Sequence, residues 1–431
     1  MTQSQAPSSR RFQVPHWALR GLLVAWGILF SGDVGSVRAG DWPQILGPQR
    51  NGQAEGEELL AEWPAKGPKQ IWQIDVGSGY AGPAIVDNRV IIFHRVGDRD
   101  RLDIVAAETG QQLHRVEFPA TYSGGVDPDT GPRCVPTVHE GVAYLWSAAG
   151  DCHAVELATG KTLWSRNLLQ DYRGDLGYFG CGSAPIVAGD RLLVNVGSRE
   201  DAGIVALELN SGKTAWKATD EQASYAAPTL NRDSPHEVVF VTRFNLLSID
   251  ARNGRVSARV PFGQRGPTVN AAVPLWAGDQ GLFVTASYGV GARMVRWSPT
   301  EWKQVWKAPE TLSSQYNTPL FAEGALLGIH GREDVGMAEL RCVAADSGRI
   351  LWSQPKFGVA HLLQAGPHVL ALNTNGELIL LSANQKAYTE LARGRISEQT
   401  TRALPALSNG RLVIRSNSGE TGTLSCWQVG R

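Results

Sequence analysis

The sequence lacks an excess of charge of either sign, since 41 Lys and Arg residues balance 41 Asp and Glu residues in a chain of 431. This balance gives no reason to expect a nucleic-acid partner, because such proteins usually carry a basic surface. The short catalytic motifs G-x-S-x-G and H-E-x-x-H, a phosphate-binding glycine loop and the C-x-x-C-H haem site are also missing. The sequence therefore assigns no catalytic residue and no metal ligand.

Long apolar runs are absent as well. The apolar run at 21–30 has ten residues, which is too short for a membrane-spanning helix. Three arginines precede it and Val-Arg-Ala follows at 37–39, a pattern that predicts a secretory signal over residues 1–39. A retained membrane anchor is the alternative. No cysteine follows the run, so we expect a periplasmic or secreted protein without a lipid anchor.

Cysteine is scarce: the chain has five, all after residue 39, and no C-x-x-C pair. An exported protein can form disulfides, but an odd number leaves at least one thiol unpaired. Cys134 and Cys181 precede the first strand of successive repeats and could be neighbours. A disulfide between them and a pair of small buried thiols are both compatible with the sequence.

Glycine and tryptophan are plentiful, with 48 and 14 residues, and they recur together in a repeated unit. Trp164 follows the turn glycine Gly160 by four residues, after alternating runs that predict short antiparallel strands. Other copies place a residue at the same position: His114, Trp216, Ala258, Trp306 and Trp352. We expect these tryptophans to pack between neighbouring sheets, because an indole removes a large apolar area from water.

Prolines mark the first strand of each repeat: Pro83, Pro136, Pro185, Pro228, Pro274, Pro319 and Pro405. The last interval is double, and His361 takes the proline position inside it. The resulting eight units average about 46 residues, a period typical of a four-stranded propeller blade. The fold class is therefore predicted as all-β, an eight-bladed β-propeller of four-stranded antiparallel blades.

The eighth unit has room for only three strands before the chain stops at Arg431. The segment at 71–74 (Ile-Trp-Gln-Ile) precedes the first blade and resembles the closing strands. We expect it to complete the last blade, which would remove two exposed sheet edges. The predicted domains are a signal peptide at 1–39, an extended proline-rich arm at 40–68 and a propeller at 69–431.

One mouth of the central channel is the candidate site. Residues three positions before each marking proline should occupy equivalent places there, and those with suitable side chains are Tyr80, Arg133, Tyr225, Tyr316 and Arg402, with His361 nearby. Such a set could bind an anionic or planar ligand, although the tyrosines could equally be structural plugs. Two long loops, 119–132 and 170–180, should lie on the same face. The segment 127–131 could be a cation loop, but a turn fits it better.

The repeat A-x-(E/D)-x-x-(T/S)-G-x-x-x-W, at Ala154–Trp164 and Ala206–Trp216, resembles the tryptophan-docking repeat of pyrroloquinoline-quinone (PQQ) propellers. Together with Asp41-Trp42-Pro43-Gln44 near the start, it resembles exported bacterial PQQ-like repeat proteins. That resemblance implies two kinds of relative. Quinoprotein dehydrogenases oxidise alcohols or sugars with PQQ and calcium, and the lipoprotein B subunit of the β-barrel assembly machine is a scaffold.

The dehydrogenase branch fits this sequence poorly. Many of its alcohol-oxidising members carry two adjacent cysteines over the quinone, and this chain has no adjacent cysteine pair. The calcium ligands of that branch also match no position in this sequence. We therefore expect a monomeric, exported, non-catalytic scaffold that requires no cofactor and binds an envelope protein or peptide. A PQQ-dependent oxidoreductase with calcium is the alternative.

Overall fold

The computed structural model describes residues 1, 40–64, 67–266 and 268–431. Apart from Met1, the signal peptide predicted at 1–39 lies outside the described residues. No helix in the described ranges is both long and apolar enough to cross a membrane.

Eight four-stranded antiparallel sheets contain all 32 strands of the described residues, which confirms the predicted propeller. The first four blades comprise β2 (Ala84–Val86), β3 (Arg89–Val96), β4 (Arg99–Ala106) and β5 (Gln112–Pro119); β6 (Thr137–His139), β7 (Val142–Trp146), β8 (Asp151–Glu156) and β9 (Thr162–Asn167); β10 (Ile186–Ala188), β11 (Arg191–Ser198), β12 (Ala202–Glu208) and β13 (Thr214–Ala218); and β14 (Thr229–Asn231), β15 (Ser234–Val241), β16 (Asn245–Asp250) and β17 (Val256–Pro261).

The other four blades comprise β18 (Leu275–Trp276), β19 (Leu282–Ala286), β20 (Gly291–Trp297) and β21 (Trp302–Ala308); β22 (Leu320–Ala322), β23 (Ala325–Arg332), β24 (Met337–Ala344) and β25 (Ile350–Gln354); β26 (Ala360–Ala365), β27 (His368–Asn373), β28 (Glu377–Ser382) and β29 (Glu390–Arg395); and β30 (Ala406–Ser408), β31 (Arg411–Ser418) and β32 (Thr421–Gln428) with β1 (Lys69–Gly77).

Each marking proline directly precedes the innermost strand of its blade, as predicted. Proline lacks a backbone N–H, so it is tolerated at the start of an edge strand. Most innermost strands span only two or three residues, but β26 has six, and His361, which we expected at the proline position before the strand, is its second residue. The spacing of the prolines in the sequence therefore matches the spacing of the blades.

Strand β1 closes the ring by pairing with β32, with Trp72 opposite Cys426 and Ile74 opposite Leu424. This confirms the predicted completion of the last blade by a segment from the start of the propeller. The pairing satisfies backbone groups on two strands that would otherwise be open edges.

The outer-strand tryptophans dock onto the next blade in a repeated way. Trp164 donates its indole N–H to the carbonyl oxygen of Leu209 at 2.8 Å, and its ring covers the turn glycine Gly212. Trp72, Trp216 and Trp306 make the same 2.8 Å contact with Ala107, Ala251 and Ala345 respectively.

Trp352 differs from the other docking tryptophans. The blade after it has no turn glycine between β28 and β29, and the Trp352 indole N–H has no partner in the described residues. Its ring instead meets Tyr388 edge-on, with centroids 6.3 Å apart. The glycine on the neighbouring blade is therefore what allows the regular docking geometry.

The described part of the arm, residues 40–64, runs across the inner strands. Trp42 pairs with Ile85 of the first blade, and Gln53 pairs with Gln364 of the seventh. The fully buried Arg50 donates to the carbonyl oxygens of Pro185 and Pro228. The distance to the Pro228 oxygen is 2.8 Å. These contacts join the arm to blades on opposite sides of the ring.

Both long loops connect an outer strand to the next inner strand, so they share one face. One element there was not predicted, the helix α1 (Leu168–Tyr172), whose first turn is capped when the Asn167 side chain accepts a hydrogen bond from the Gln170 N–H. The segment 127–131 forms consecutive turns in which Asp127 and Asp129 accept backbone N–H groups two residues on.

All five cysteines are buried free thiols. Cys134 and Cys181 are neighbours, with the Cys134 Sγ atom 4.0 Å from the Cys181 carbonyl oxygen, but they form no disulfide. Burial raises the pKa of the Cys181 thiol well above its usual value. The structure therefore favours the small buried thiols over the disulfide.

Candidate binding site at the channel mouth

The predicted mouth residues come together around one cavity of about 430 Å³, which we call the mouth cavity. Its lining includes every position three residues before a marking proline, together with the seventh-blade histidine: Tyr80, Arg133, Gly182, Tyr225, Ala271, Tyr316, Arg402 and His361. Because all eight blades repeat the same entry into their innermost strand, equal offsets from the proline converge on the central axis. Ile45 of the arm also contributes to the lining.

Arg402 is the centre of the charged network in the cavity. Its guanidinium lies 3.0 Å from a Glu333 carboxylate oxygen and 3.6 Å from one of Asp127. Tyr80 donates its hydroxyl to Asp127 at 3.2 Å, and Tyr316 donates to Glu333 at 2.9 Å. The two acids therefore flank Arg402 and orient two of the tyrosines.

Arg133 is held by its own loop. It pairs with Asp129 at 2.6 Å and donates to the Phe179 carbonyl oxygen at 3.1 Å. The guanidinium also lies over the rings of Tyr80 and Tyr122, 5.3 and 5.5 Å from their centroids. Arg133 thus connects loop 119–132 to loop 170–180.

Tyr225 anchors the second loop. Its hydroxyl oxygen accepts the backbone N–H groups of Tyr178 and Phe179, each at 2.9 Å. Gly182 is required beside it, since a Cβ atom there would lie 2.4 Å from the Tyr225 ring. Burial raises the pKa of Tyr225 to about 12, so the hydroxyl stays protonated at neutral pH.

His361 is buried and uncharged at neutral pH. Burial lowers the pKa of its imidazole to about 4. One ring nitrogen lies 2.8 Å from the Arg402 carbonyl oxygen and the other lies 3.3 Å from the Asn317 amide. Both nitrogens therefore have partners, and the ring supports the cavity wall.

Sequence reasoning missed part of the lining: Phe179, Tyr288, Gln315, Glu333 and Asp334. Glu333 and Asp334 belong to the turn between β23 and β24, which the proline offset does not reach. Asp127 and Phe179 come from the two long loops, whose length was the only available signal. Tyr288, on the turn after β19, is covered by the Arg332 guanidinium at 4.3 Å.

The eight-bladed ring and its repeated tryptophan docking are the features of a propeller of the PQQ-repeat class. The family model described as "outer membrane protein assembly factor BamB" matches residues 52–175 and 98–354, which is more than half of the chain. The protein therefore belongs to this PQQ-repeat family.

Two curated relatives represent the two branches. The assembly factor BamB of Burkholderia pseudomallei is 25% identical over 280 residues, which cover 54% of this chain and 70% of that protein. The quinoprotein ethanol dehydrogenase of Pseudomonas aeruginosa is 32% identical over 120 residues, 26% of this chain. The match spans only 18% of the dehydrogenase.

Solved structures show the same fold in both branches. BamB from Moraxella catarrhalis aligns with a TM-score of 0.62 at 17% identity, covering 84% of this chain and 99% of its own. The quinohemoprotein alcohol dehydrogenase from Comamonas testosteroni aligns with a TM-score of 0.68 at 12% identity, covering 92% and 82%. At these identities the likeness describes the architecture alone.

Proposed function

We propose that this protein is an exported, non-catalytic scaffold that binds a segment of an envelope protein at the mouth cavity and its rim. The observation that carries the proposal is the mouth cavity itself: an aromatic pocket whose arginines are already paired with carboxylates. A cavity of this kind can bury a side chain of a partner protein, and this binding requires no catalytic group. The family description and the BamB relatives favour a partner in outer-membrane protein assembly.

The polar groups of the cavity are poorly suited to catalysis. His361 has both ring nitrogens occupied, and burial keeps the pKa of Tyr225 and Tyr316 above their usual value. A general base needs a pKa near the working pH and a free acceptor. Within the described lining, His361, Tyr225 and Tyr316 therefore serve as packing and hydrogen-bonding groups.

The pairing of the charged side chains in the cavity narrows the class of ligand that we expect. The sequence suggested an anionic or planar group, but Arg133 is paired with Asp129 and Arg402 with Glu333 and Asp127. An anion would have to compete with these carboxylates. We therefore propose a planar, uncharged group, such as an aromatic side chain, that stacks among the tyrosines.

The rim of the cavity supplies the surrounding contact area. Large apolar side chains stand exposed on this face, with Val126 72% and Met337 73% exposed, and Leu176, Tyr178 and Val335 between 40% and 49%. Exposed apolar side chains around a pocket are typical of protein-binding surfaces. The loops that carry Val126 and Tyr178 are joined by a 3.0 Å backbone hydrogen bond, so their positions are fixed relative to each other.

Site-specific photocrosslinking tests the proposal. A benzophenone amino acid at Met337, on the rim, should crosslink one envelope protein in cells, whereas the same residue at Leu391, on an outer strand and 41% exposed, should not. The double variant Tyr225→Ala, Tyr316→Ala should abolish the crosslink while the protein stays folded. Equal crosslinking from both positions, or a crosslink insensitive to the double variant, would contradict a mouth-cavity partner.

A PQQ-dependent oxidoreductase is the second candidate, favoured by the match to the ethanol dehydrogenase. The described residues do not fit the cofactor. PQQ carries carboxylates, while the lining holds Asp127, Glu333 and Asp334 against two arginines that are already paired. No group of three or more acidic, histidine or cysteine side chains in the described ranges could hold calcium. We therefore derive no step through PQQ.

Titration with PQQ and calcium separates the two candidates. The scaffold proposal expects no stoichiometric binding by calorimetry and no dye-linked oxidation of ethanol or glucose. Stoichiometric binding together with turnover would overturn it and establish the oxidoreductase.

A further inference from the structure

A second cavity of about 850 Å³ lies beside the mouth cavity, between the third and fourth blades on the same face; we call it the groove. Its walls are loop 170–180, the turn after β11, the connection at 220–225 and the turn between β15 and β16. Tyr225 and Gly182 border both cavities. The groove is lined by more charged and amide side chains than the aromatic mouth cavity.

Asn195 is the unexplained residue of the groove. It lines the cavity from β11, is only 3% exposed, and neither its amide oxygen nor its amide nitrogen has a partner within the described residues. Its neighbours along the strand, Val194 and Val196, are fully buried. A buried amide with one unused acceptor and two unused donors destabilises the fold unless a ligand completes it.

The other buried charge in the groove is already satisfied. Glu221, 5% exposed, accepts hydrogen bonds from Thr242 at 2.7 Å and Asn245 at 2.9 Å, and lies 3.4 Å from Arg259. Asn195 is therefore the buried side chain that a ligand would engage first. Further planar polar side chains line the groove: Asp175, Arg199, Asp220 and Gln222.

An aromatic side chain completes the set. Tyr178 lines the groove and is 40% exposed, with the Arg243 guanidinium 5.3 Å from its ring centroid. Planar polar side chains pair well with vicinal hydroxyls, which offer a donor and an acceptor side by side. An exposed aromatic ring packs against the apolar face of a pyranose.

We propose that the groove is a saccharide-binding site, in which Asn195 binds a vicinal diol of a short oligosaccharide. This site adjoins the partner site proposed for the mouth cavity and its rim and shares Tyr178 and Tyr225 with it, but its central residue, Asn195, lines only the groove. A groove lined by amides, carboxylates and arginines, with the partly exposed ring of Tyr178 among them, favours a sugar over an apolar peptide segment.

Calorimetry with cellotriose, maltotriose, chitotriose and trigalacturonate tests the site on the full mature protein. At least one trisaccharide should bind, and Asn195→Leu should weaken it at least tenfold. Because the substitution removes two unpaired buried polar atoms, the melting temperature should be unchanged or raised. The surface variant Tyr178→Ala should also weaken binding, which provides a test that does not depend on a core substitution.

Tyr316→Phe serves as the matched control, because it alters the mouth cavity and leaves the groove intact; saccharide affinity should not change. The site is disproved if no trisaccharide binds at millimolar concentration, or if Asn195→Leu and Tyr178→Ala bind as tightly as the parent. It is also disproved if Asn195→Leu removes only the protein crosslink, since the groove would then hold a peptide. Saccharide binding is therefore judged in variants of Asn195, Tyr178 and Tyr316 and not in variants of Tyr225, which borders both cavities.

Discussion

The indole N–H of Trp164 donates a 2.8 Å hydrogen bond to the carbonyl oxygen of Leu209, which lies in the neighbouring blade. The hydrogen bond and the ring packing hold adjacent blades together, and three other outer-strand tryptophans repeat the contact. The stability of the ring therefore depends on tryptophans that belong to one blade and pack against the next.

Trp164→Ala should lower the free energy of unfolding by about 3–5 kcal/mol, because it leaves a cavity between two blades. Trp164→Phe keeps most of the apolar contact but removes the indole N–H, and should cost about 1–2 kcal/mol. Urea denaturation measures both. The adjacent Leu163→Ala, at a side chain 39% exposed, is the control and should change stability by less than about 0.5 kcal/mol. Equal losses at the two positions would contradict inter-blade docking.

Gly212 faces the Trp164 ring. A Cβ atom there would lie 2.6 Å from the indole, and the residue has φ +65°. Gly189 has a similar φ of +60° but nothing within 4 Å of an added Cβ. Both alanine variants pay the left-handed backbone cost of about 1–2 kcal/mol, and Gly212→Ala should lose about 1–3 kcal/mol more through overpacking. If the two variants lose the same stability, the Trp164 indole moves aside without cost, which would contradict the prediction.

The buried His361 predicts acid sensitivity. Its folded pKa of about 4 lies below the usual 6.5. Between those values the unfolded chain binds a proton that the folded state does not, so the free energy of unfolding falls as the pH is lowered through this window. The loss should reach about 3 kcal/mol at pH 4.

His361→Gln should reduce the loss of stability between pH 6.5 and 4 by that amount, measured by urea denaturation at each pH. Part of the acid sensitivity should remain, because burial also lowers the pKa of His153 to about 4. His139→Gln, at a partly exposed side chain on β6, is the control. An unchanged pH slope in His361→Gln would refute the assignment.

Arg50 ties the arm to the inner strands of blades three and four through the carbonyl oxygens of Pro185 and Pro228. Arg50→Met removes the Arg50 hydrogen bond to the Pro228 carbonyl oxygen, whereas Pro185 keeps the Thr137 hydroxyl at 2.9 Å, and should cost about 1–3 kcal/mol. Limited proteolysis should then cut within residues 40–64 faster than in the parent. The exposed neighbour variant Gln49→Ala should leave both stability and cleavage unchanged. Resistance of Arg50→Met to protease would mean that the arm is held by its other contacts.

Much of the architecture could be predicted because it rests on local rules that repeat. Pro83 and its counterparts mark the inner strands, and the motif that ends at Trp164 marks the outer ones. The same offset located Tyr80, Tyr316 and Arg402 around one cavity, while their role in binding a ligand remains a prediction. The short helix at 168–172 was missed, because five residues carry too little periodicity to detect.

The sequence by itself determined the number of blades, their strand order and the closure of the ring, because turn glycines, edge prolines and docking tryptophans act over a few residues and recur. Only the tertiary structure decided which charges meet: Arg402 comes to lie between Asp127 and Glu333, and Asn195 comes to line the groove without a partner. The Arg402 contacts join segments of different blades. Arg402 and Asp127 are 275 positions apart in the chain and meet only when the ring closes, so no local pattern records the contact.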